Sequence, residues 1–320
     1  MADKYEPASG GNPAEISSKT TQDLKDIVSG KVDIPSDITR EDLQPAHIQP
    51  GETEIVLQRH GRYERSSESP NVGSLTPEAQ QLEMDEAVSF FRKQLEDVVP
   101  QDRDKVDILV VGSDTSYKGG GKRSTETGNI VIEAARQVLA EYGLSEQQII
   151  NIRDENILRG NNGEIRPTPL IREPKLFDGS PKSEEFRQYL EEKYGGNTEY
   201  GVESKFFIAF ESDWEKEKRL ELGVEGPEDM ADRMQREVNV LARYSRLYHE
   251  ANPDRRLILW AATHYDTISP FVKLKVIGQG LEDYLGVDYG AGVAIKLDKS
   301  GEAVTKLSGK EYPVPVKKAS

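Results

Sequence analysis

Apolar and polar positions come in blocks along this chain, and the period of the blocks changes. Glu54–Gln58 is a short, mostly apolar run of strand length. Thr76-Pro77-Glu78 reads as a helix start, with threonine as cap and proline in the first turn. The helix it opens runs towards Val98, with Leu82, Ala87, Phe90, Phe91 and Leu95 at helical spacing. Val106–Val111 is the next strand. A helix from about Thr125 to Tyr142 carries Ile130, Val131, Ala134, Val138 and Leu139 and stops at Gly143. Gln148–Ile152 and Lys205–Phe210 read as further strands, Glu228–His249 as a helix and Arg256–Ala261 as a strand. Tyr289–Leu297 and Ala303–Leu307 read as a closing hairpin around Asp298–Gly301. Strands alternating with helices predict an α/β chain: a three-layer α/β/α sandwich built on a mostly parallel, doubly wound sheet.

Two stretches break the alternation. Residues 1–50 contain one aromatic residue, Tyr5, and are rich in Pro, Gly, Ser and Asp, which predicts a flexible N-terminal tail ahead of a single folded domain, 51–320. Thr21–Val28 has the makings of a short helix within that tail. Residues 153–182 carry Pro167, Pro169, Pro174 and Pro181 and read as a long irregular connection, either disordered or of the kind that shapes a substrate site.

Composition narrows the chemistry. There is no cysteine, which removes disulfides, thiolate catalysis and cysteine-based metal sites. No run reaches the roughly 18 apolar residues of a membrane span, and the N-terminus lacks a basic-then-apolar leader. The expectation is a cytoplasmic protein that does not engage a membrane. A net charge of −15 argues against a nucleic-acid partner, which needs a basic footprint. Basic residues nonetheless gather in two places: Arg59, Arg62 and Arg65 around His60, and Lys118, Lys122 and Arg123 in a glycine-rich loop. Such a local cationic field suits a small anion.

Three segments follow strands. They are Leu57-Gln58-Arg59-His60-Gly61, then Gly112-Ser113-Asp114 leading to Arg123-Ser124-Thr125-Glu126-Thr127, and Thr263-His264-Tyr265-Asp266. Open α/β sheets bind ligands at the carboxyl ends of their strands. A histidine there can attack phosphorus if its attacking nitrogen is neutral and its other nitrogen is held. An adjacent arginine clamps phosphate oxygens in a fork, and Gly61 lets the backbone turn beneath the anion.

These segments resemble the histidine phosphatase superfamily, the phosphoglycerate-mutase-like proteins. Arg59-His60-Gly61 followed by Ser74-Leu75-Thr76-Pro77 is similar to the opening block of that family. Ser113 with Arg123-Ser124-Thr125-Glu126-Thr127 is similar to its second block, and His264 takes the place of its second histidine. The resemblance covers about residues 53–142 and 255–300. It implies phosphomonoester hydrolysis through a phosphohistidine at His60, with Arg59, Gly61, Arg123 and His264 completing the phosphoryl pocket and no metal or cofactor required. The substrate it implies is a small phosphorylated compound or a phosphoprotein. A phosphomutase or a non-catalytic binding protein on the same fold are the alternatives. The family also uses a carboxyl as general acid, which must stay protonated near neutral pH and so needs a raised pKa. Glu173, in Ile171-Arg172-Glu173-Pro174, is most similar to that stretch, and Glu155 is the alternative. The chain departs from the pattern at Arg62-Tyr63, where the family often has Glu-Thr, and at the inserted Lys118–Lys122 loop. These departures bear on the leaving-group pocket more than on the phosphate pocket.

Other readings of the same residues are structural. His264-x-Asp266 resembles half a metal site, but Asp266 is better expected as a loop or capping residue. The Gly119-Gly120-Gly121-Lys122 loop lacks the spacing of a P-loop. The Glu215–Glu221 charge run, beside Trp214, is expected to be a solvated face or a flap.

Overall fold

A computed structural model describes residues 36–317, except 67, 116–121, 150–152, 155–157, 160–164, 175, 177–179 and 197–203. Among the described residues the central sheet has seven strands. In chain order they are β1 (Thr53–Arg59), β2 (Val106–Ser113), β3 (Arg166–Thr168), β4 (Arg256–Thr263), β5 (Gly292–Leu297), β6 (Ala303–Leu307) and β7 (Lys310–Val314). Their spatial order is β7-β6-β5-β1-β4-β2-β3. β1, β4, β2 and β3 run parallel, while β5, β6 and β7 add antiparallel strands on the other side of β1.

Successive side chains of a strand point to opposite faces, and both faces of this sheet are covered. On one side Val56, Val110, Ile258 and Trp260 pack under α1 (Pro77–Glu96) and α2 (Arg123–Glu141). On the other, Ile55, Leu57, Leu109, Val111, Leu257 and Leu259 share a core with residues of α6 (Pro227–Ala251) and α7 (Tyr265–Phe271). Between β3 and α6 lie α3 (Pro181–Tyr194), α4 (Lys205–Glu211) and α5 (Lys216–Leu222). This is the three-layer α/β/α arrangement. Right-handed crossovers explain which helices lie where. The chain moves outward from β1 to β2 to β3, which puts α1 and α2 on one face. It then returns to β4, which puts α6 on the other. Connections from neighbouring β1 and β4 therefore leave in opposite directions, and the crevice for a ligand opens at their carboxyl ends.

Four expectations are corrected. Lys205–Phe210 is helical: Phe206, Phe207, Ala209 and Phe210 are all buried. A short apolar run buried all round carries no period to tell strand from helix, and Ser204 supplies the cap by accepting from Phe207 N at 3.5 Å. Of the expected strand Gln148–Ile152, the described part makes a single bridge, Ile149 to Ile108. Within the irregular stretch, Arg166–Thr168 forms the sheet's edge strand, a position that tolerates Pro167. Ser36–Pro50 packs on the folded body rather than trailing from it. Asp37–Ile38 pairs with Gly286–Val287, and Ile38 and Ile48 are buried. Two isoleucines anchor a segment whose composition reads as tail. The possible helix at Thr21–Val28 lies outside the described residues. No helix among the described residues is long and apolar enough to cross a membrane.

Candidate active site

The register of the parallel strands brings the motifs together. Arg59 stands opposite Thr263 in the β1–β4 pair, and Gly112 opposite Ala262 in the β2–β4 pair. His60, Ser113 and His264 therefore leave the sheet at one level. The bond from His60 N to Thr263 O, at 2.9 Å, continues the ladder past the last strand residues.

The His60 ring is almost fully buried. Its Nδ1 lies 2.7 Å from the Gly61 carbonyl oxygen. A carbonyl only accepts, so Nδ1 carries the proton and Nε2 keeps its lone pair. Arg123 Nε donates to that lone pair at 2.7 Å. Burial holds the imidazole pKa well below its usual value, and the charges of Arg123, His264 and Arg59 push the same way. The ring is thus neutral, in one tautomer, with its free nitrogen facing a guanidinium.

His264 closes the site from β4, its ring centroid 5.1 Å from that of His60. Its Nε2 lies 2.9 Å from Ser113 Oγ and 3.1 Å from Ser124 Oγ. Burial lowers its pKa too, although Glu173 pulls the other way. Arg59 donates to the Val287 carbonyl and stacks on Tyr289, its guanidinium carbon 3.7 Å from the ring centroid. Arg123 stacks in the same manner on Tyr63, at 3.9 Å. Both guanidiniums are thus braced by an aromatic face, which favours a cation in a half-buried wall.

Glu173 reaches the same point from the loop after β3. It is 9% exposed, accepts from Arg123 Nη2, and sits 3.3 Å from His264 Nδ1. Its backbone N–H donates to Thr115 Oγ1 at 3.1 Å, and Thr115 is tied to Ser113 Oγ. Burial raises the Glu173 pKa, but Arg123 and His264 together outweigh it and the net direction is down. The raised pKa expected of a general acid is therefore not what the structure shows. In this arrangement Glu173 is an ionised partner of Arg123. Asp266, expected in a loop or cap, lies buried in the first turn of α7. Burial, then the nearby charge of Glu173, raises its pKa well above the usual range and keeps it protonated.

The structure thus brings His60, Gly61, Arg59, Arg123, His264 and Glu173 to one place. Glu155 and the Lys118–Gly121 loop lie outside the described residues. Among the described residues no cluster of three or more His, Asp or Glu suits a metal ion. Sequence reasoning missed Tyr63 and Tyr289 as braces and Ser124 as a neighbour of His264. Ser124 follows Arg123 directly and was within reach of it; Tyr289 carried no signal, because only the fold returns it to β1.

No protein-family model matches the chain, and no curated protein matches it in sequence. Solved structures that match the chain include a phosphoglycerate mutase from Bacillus anthracis, at 13% identity over 85% of this chain and 96% of that one, TM-score 0.43. A mycobacterial glucosyl-3-phosphoglycerate phosphatase matches at 15% identity over 76% and 89%, TM-score 0.38. A multiple inositol polyphosphate phosphatase from Bifidobacterium longum, solved with phosphate, matches at 12% identity over 85% and 87%, TM-score 0.41.

Proposed function

We propose that this chain is a phosphomonoester hydrolase working through a phosphohistidine at His60. The observation that carries the reading is the single tautomer of the His60 ring. Nδ1–H is tied to the Gly61 carbonyl and Nε2 is presented, neutral, beside Arg123 and His264. In the reaction the Nε2 lone pair forms a bond to phosphorus while the bond from phosphorus to the leaving oxygen breaks. Arg59 and Arg123 neutralise charge on the equatorial oxygens, with the neutral His264 beside them, which is most of what phosphoryl transfer asks of a protein. The leaving oxygen takes its proton from Glu173. Water then attacks phosphorus, returns a proton to Glu173, and the N–P bond breaks.

Glu173 reaches its acid form through the substrate. An incoming phosphate shares Arg123 and adds negative charge beside the carboxylate. Both effects remove what holds the Glu173 pKa down, leaving burial to raise it. The proton is thus taken up when the substrate arrives. The substrate class is a small phosphorylated compound. The mutase alternative needs water kept from the phosphohistidine, and the half-buried Tyr63 and Tyr289 with exposed Arg62 at the mouth favour hydrolysis instead. Incubation with an aryl phosphate tests the reading. Release of free phosphate, abolished in His60→Ala, is expected; unchanged turnover in His60→Ala rejects it, and an isomerised product without free phosphate supports the mutase.

A further inference from the structure

The loop that leads into β5, residues 286–291, lies against the end of β1. The Val287 carbonyl accepts from Arg59 Nη1, and the Tyr289 ring centroid lies 3.7 Å from the guanidinium carbon, nearer than the Tyr265 centroid at 5.3 Å. Arg59 N donates to Ala291 O at 2.8 Å, and Gly290 N donates to His60 O at 3.3 Å. One short loop thus grips both the backbone and the side chain of Arg59.

The other side of that loop is held by residues 36–40. Asp37–Ile38 pairs in parallel with Gly286–Val287. Gly286 N donates to Ser36 O at 3.1 Å and Asp288 N to Ile38 O at 3.0 Å, so backbone bonds bracket Val287 on both sides. Ile38 is fully buried, in the core that also holds Leu285, Val287 and Ala291. Arg40 ties the segment to α1, donating to Glu86 and, at 3.4 Å, to Glu83. A two-residue pairing has little stability of its own, and Gly290, at a φ of 76°, leaves the loop conformationally permissive. Burial of Ile38 and the Arg40 tie supply the order that the pairing lacks.

We propose that residues 36–40 are a positioning element of the active site: anchored by Ile38, they fix residues 286–291, which through Val287 O and Tyr289 aim the Arg59 guanidinium at the phosphoryl oxygens. This rests on the phosphatase reading and goes further, by adding to the site a segment whose composition reads as tail. Ile38 and Arg40 act through Arg59 and not on the substrate. A fork that clamps phosphate oxygens works only in one direction, and a misplacement of about 1 Å can cost about 10²-fold in rate.

Ile48 gives a matched control. It belongs to the same N-terminal segment and is 2% exposed, but it packs in the core under α1 and α2, on the other face of the sheet from Ile38. The wild type, Ile38→Ala, Ile38→Val, Ile48→Ala and Arg40→Ala are compared well below the lowest Tm. The measurements are Tm, kcat/KM for p-nitrophenyl phosphate and, by calorimetry, affinity for inorganic phosphate. Ile38→Ala and Ile48→Ala are expected to lower Tm alike. Ile38→Ala is expected to lower kcat/KM and phosphate affinity at least about tenfold, Ile48→Ala less than about twofold, and Ile38→Val is expected to keep most of both. Arg40→Ala, at a partly exposed position, is expected to lose at least about threefold and carries the test if Ile38→Ala does not fold. Unchanged values in Ile38→Ala, or in Arg40→Ala where Ile38→Ala does not fold, overturn the positioning role, and so does an equal loss in Ile48→Ala. A wild type that binds phosphate but releases none from the ester overturns the phosphatase reading, and the affinities then judge the segment. A wild type that does neither overturns both.

Discussion

Replacing Glu173 with glutamine separates binding from chemistry in opposite directions. The carboxylate shares Arg123 with His60 and lies 3.3 Å from His264 Nδ1. A phosphoryl group on His60 Nε2 would share Arg123 with it, and two unit charges about 5 Å apart at an effective dielectric near 20 repel by about 3 kcal/mol. In the wild type part of this is relieved, because Glu173 takes up a proton as the anion binds. Before binding its pKa is held down by Arg123 and His264, and the proposed sharing of Arg123 with the anion releases it. Binding of inorganic phosphate therefore strengthens as pH falls between those two pKa values. Glu173→Gln has no charge to oppose the anion and no proton to gain. Phosphate affinity should rise at least about tenfold, the equivalent of roughly 1.4 kcal/mol. Hydrolysis of an alkyl phosphate should fall by about 10²–10⁴, the usual worth of a positioned acid, and of p-nitrophenyl phosphate by much less, since that leaving group needs little protonation. Calorimetric titration with phosphate in two buffers of different ionisation enthalpy reads affinity and proton uptake together. If Glu173→Gln binds phosphate no more tightly and takes up the same proton as the wild type, the assignment of both charge and acid to Glu173 is refuted.

Arg123→Lys keeps the charge but cannot donate to His60 and Glu173 at once from a rigid fork, so kcat/KM for an aryl phosphate should drop at least about a hundredfold. Glu54 and Glu83 are buried carboxyls raised from 4.5 to about 8, chiefly by burial. The folded state binds more protons than the unfolded chain between those values, so stability falls as pH rises from 4.5 to about 8. Glu83→Gln or Glu54→Gln should flatten the plot of Tm against pH over that window, and a slope unchanged in both variants would contradict the burial argument. Gly292 lies so close to β1 that an added Cβ would meet Leu57 O at 2.1 Å and Gln58 Cα at 2.8 Å. Gly292→Ala should therefore cost roughly 1–3 kcal/mol in denaturant unfolding, as overpacking does.

The sheet core was legible because β1, β2 and β4 are short apolar runs buried on both faces, and the helices α1, α2 and α6 each bury one repeating stripe, as in Ala87, Phe90, Phe91 and Leu95 of α1. The phosphoryl-pocket candidates were legible because His60 and His264 directly follow strands, where parallel register does the positioning, and Arg123 opens the helix after the next strand. What escaped lacked a period or lay far off in sequence. Lys205–Glu211 buries too many sides to show one. Leu82, read as core from its spacing, is 44% exposed at the edge of the α1 stripe. The edge strand Arg166–Thr168 is too short to stand out among prolines, and β7 follows β6 after a two-residue turn, Ser308-Gly309, with φ of 47° and 82°. Ionisation was hidden altogether: whether Glu173 is charged depends on Arg123 and His264, both distant in the chain.

The most direct measurement is the position of the phosphoryl group on the trapped enzyme. Quenching in alkali after mixing with an aryl phosphate, followed by 31P NMR and peptide mapping, distinguishes the two isomers of phosphohistidine. Because His60 Nδ1 is engaged with the Gly61 carbonyl and Nε2 faces Arg123, the adduct should be phosphorylated on Nε2 of His60. A phosphoryl group on Nδ1, on His264 or on any other residue would contradict the account.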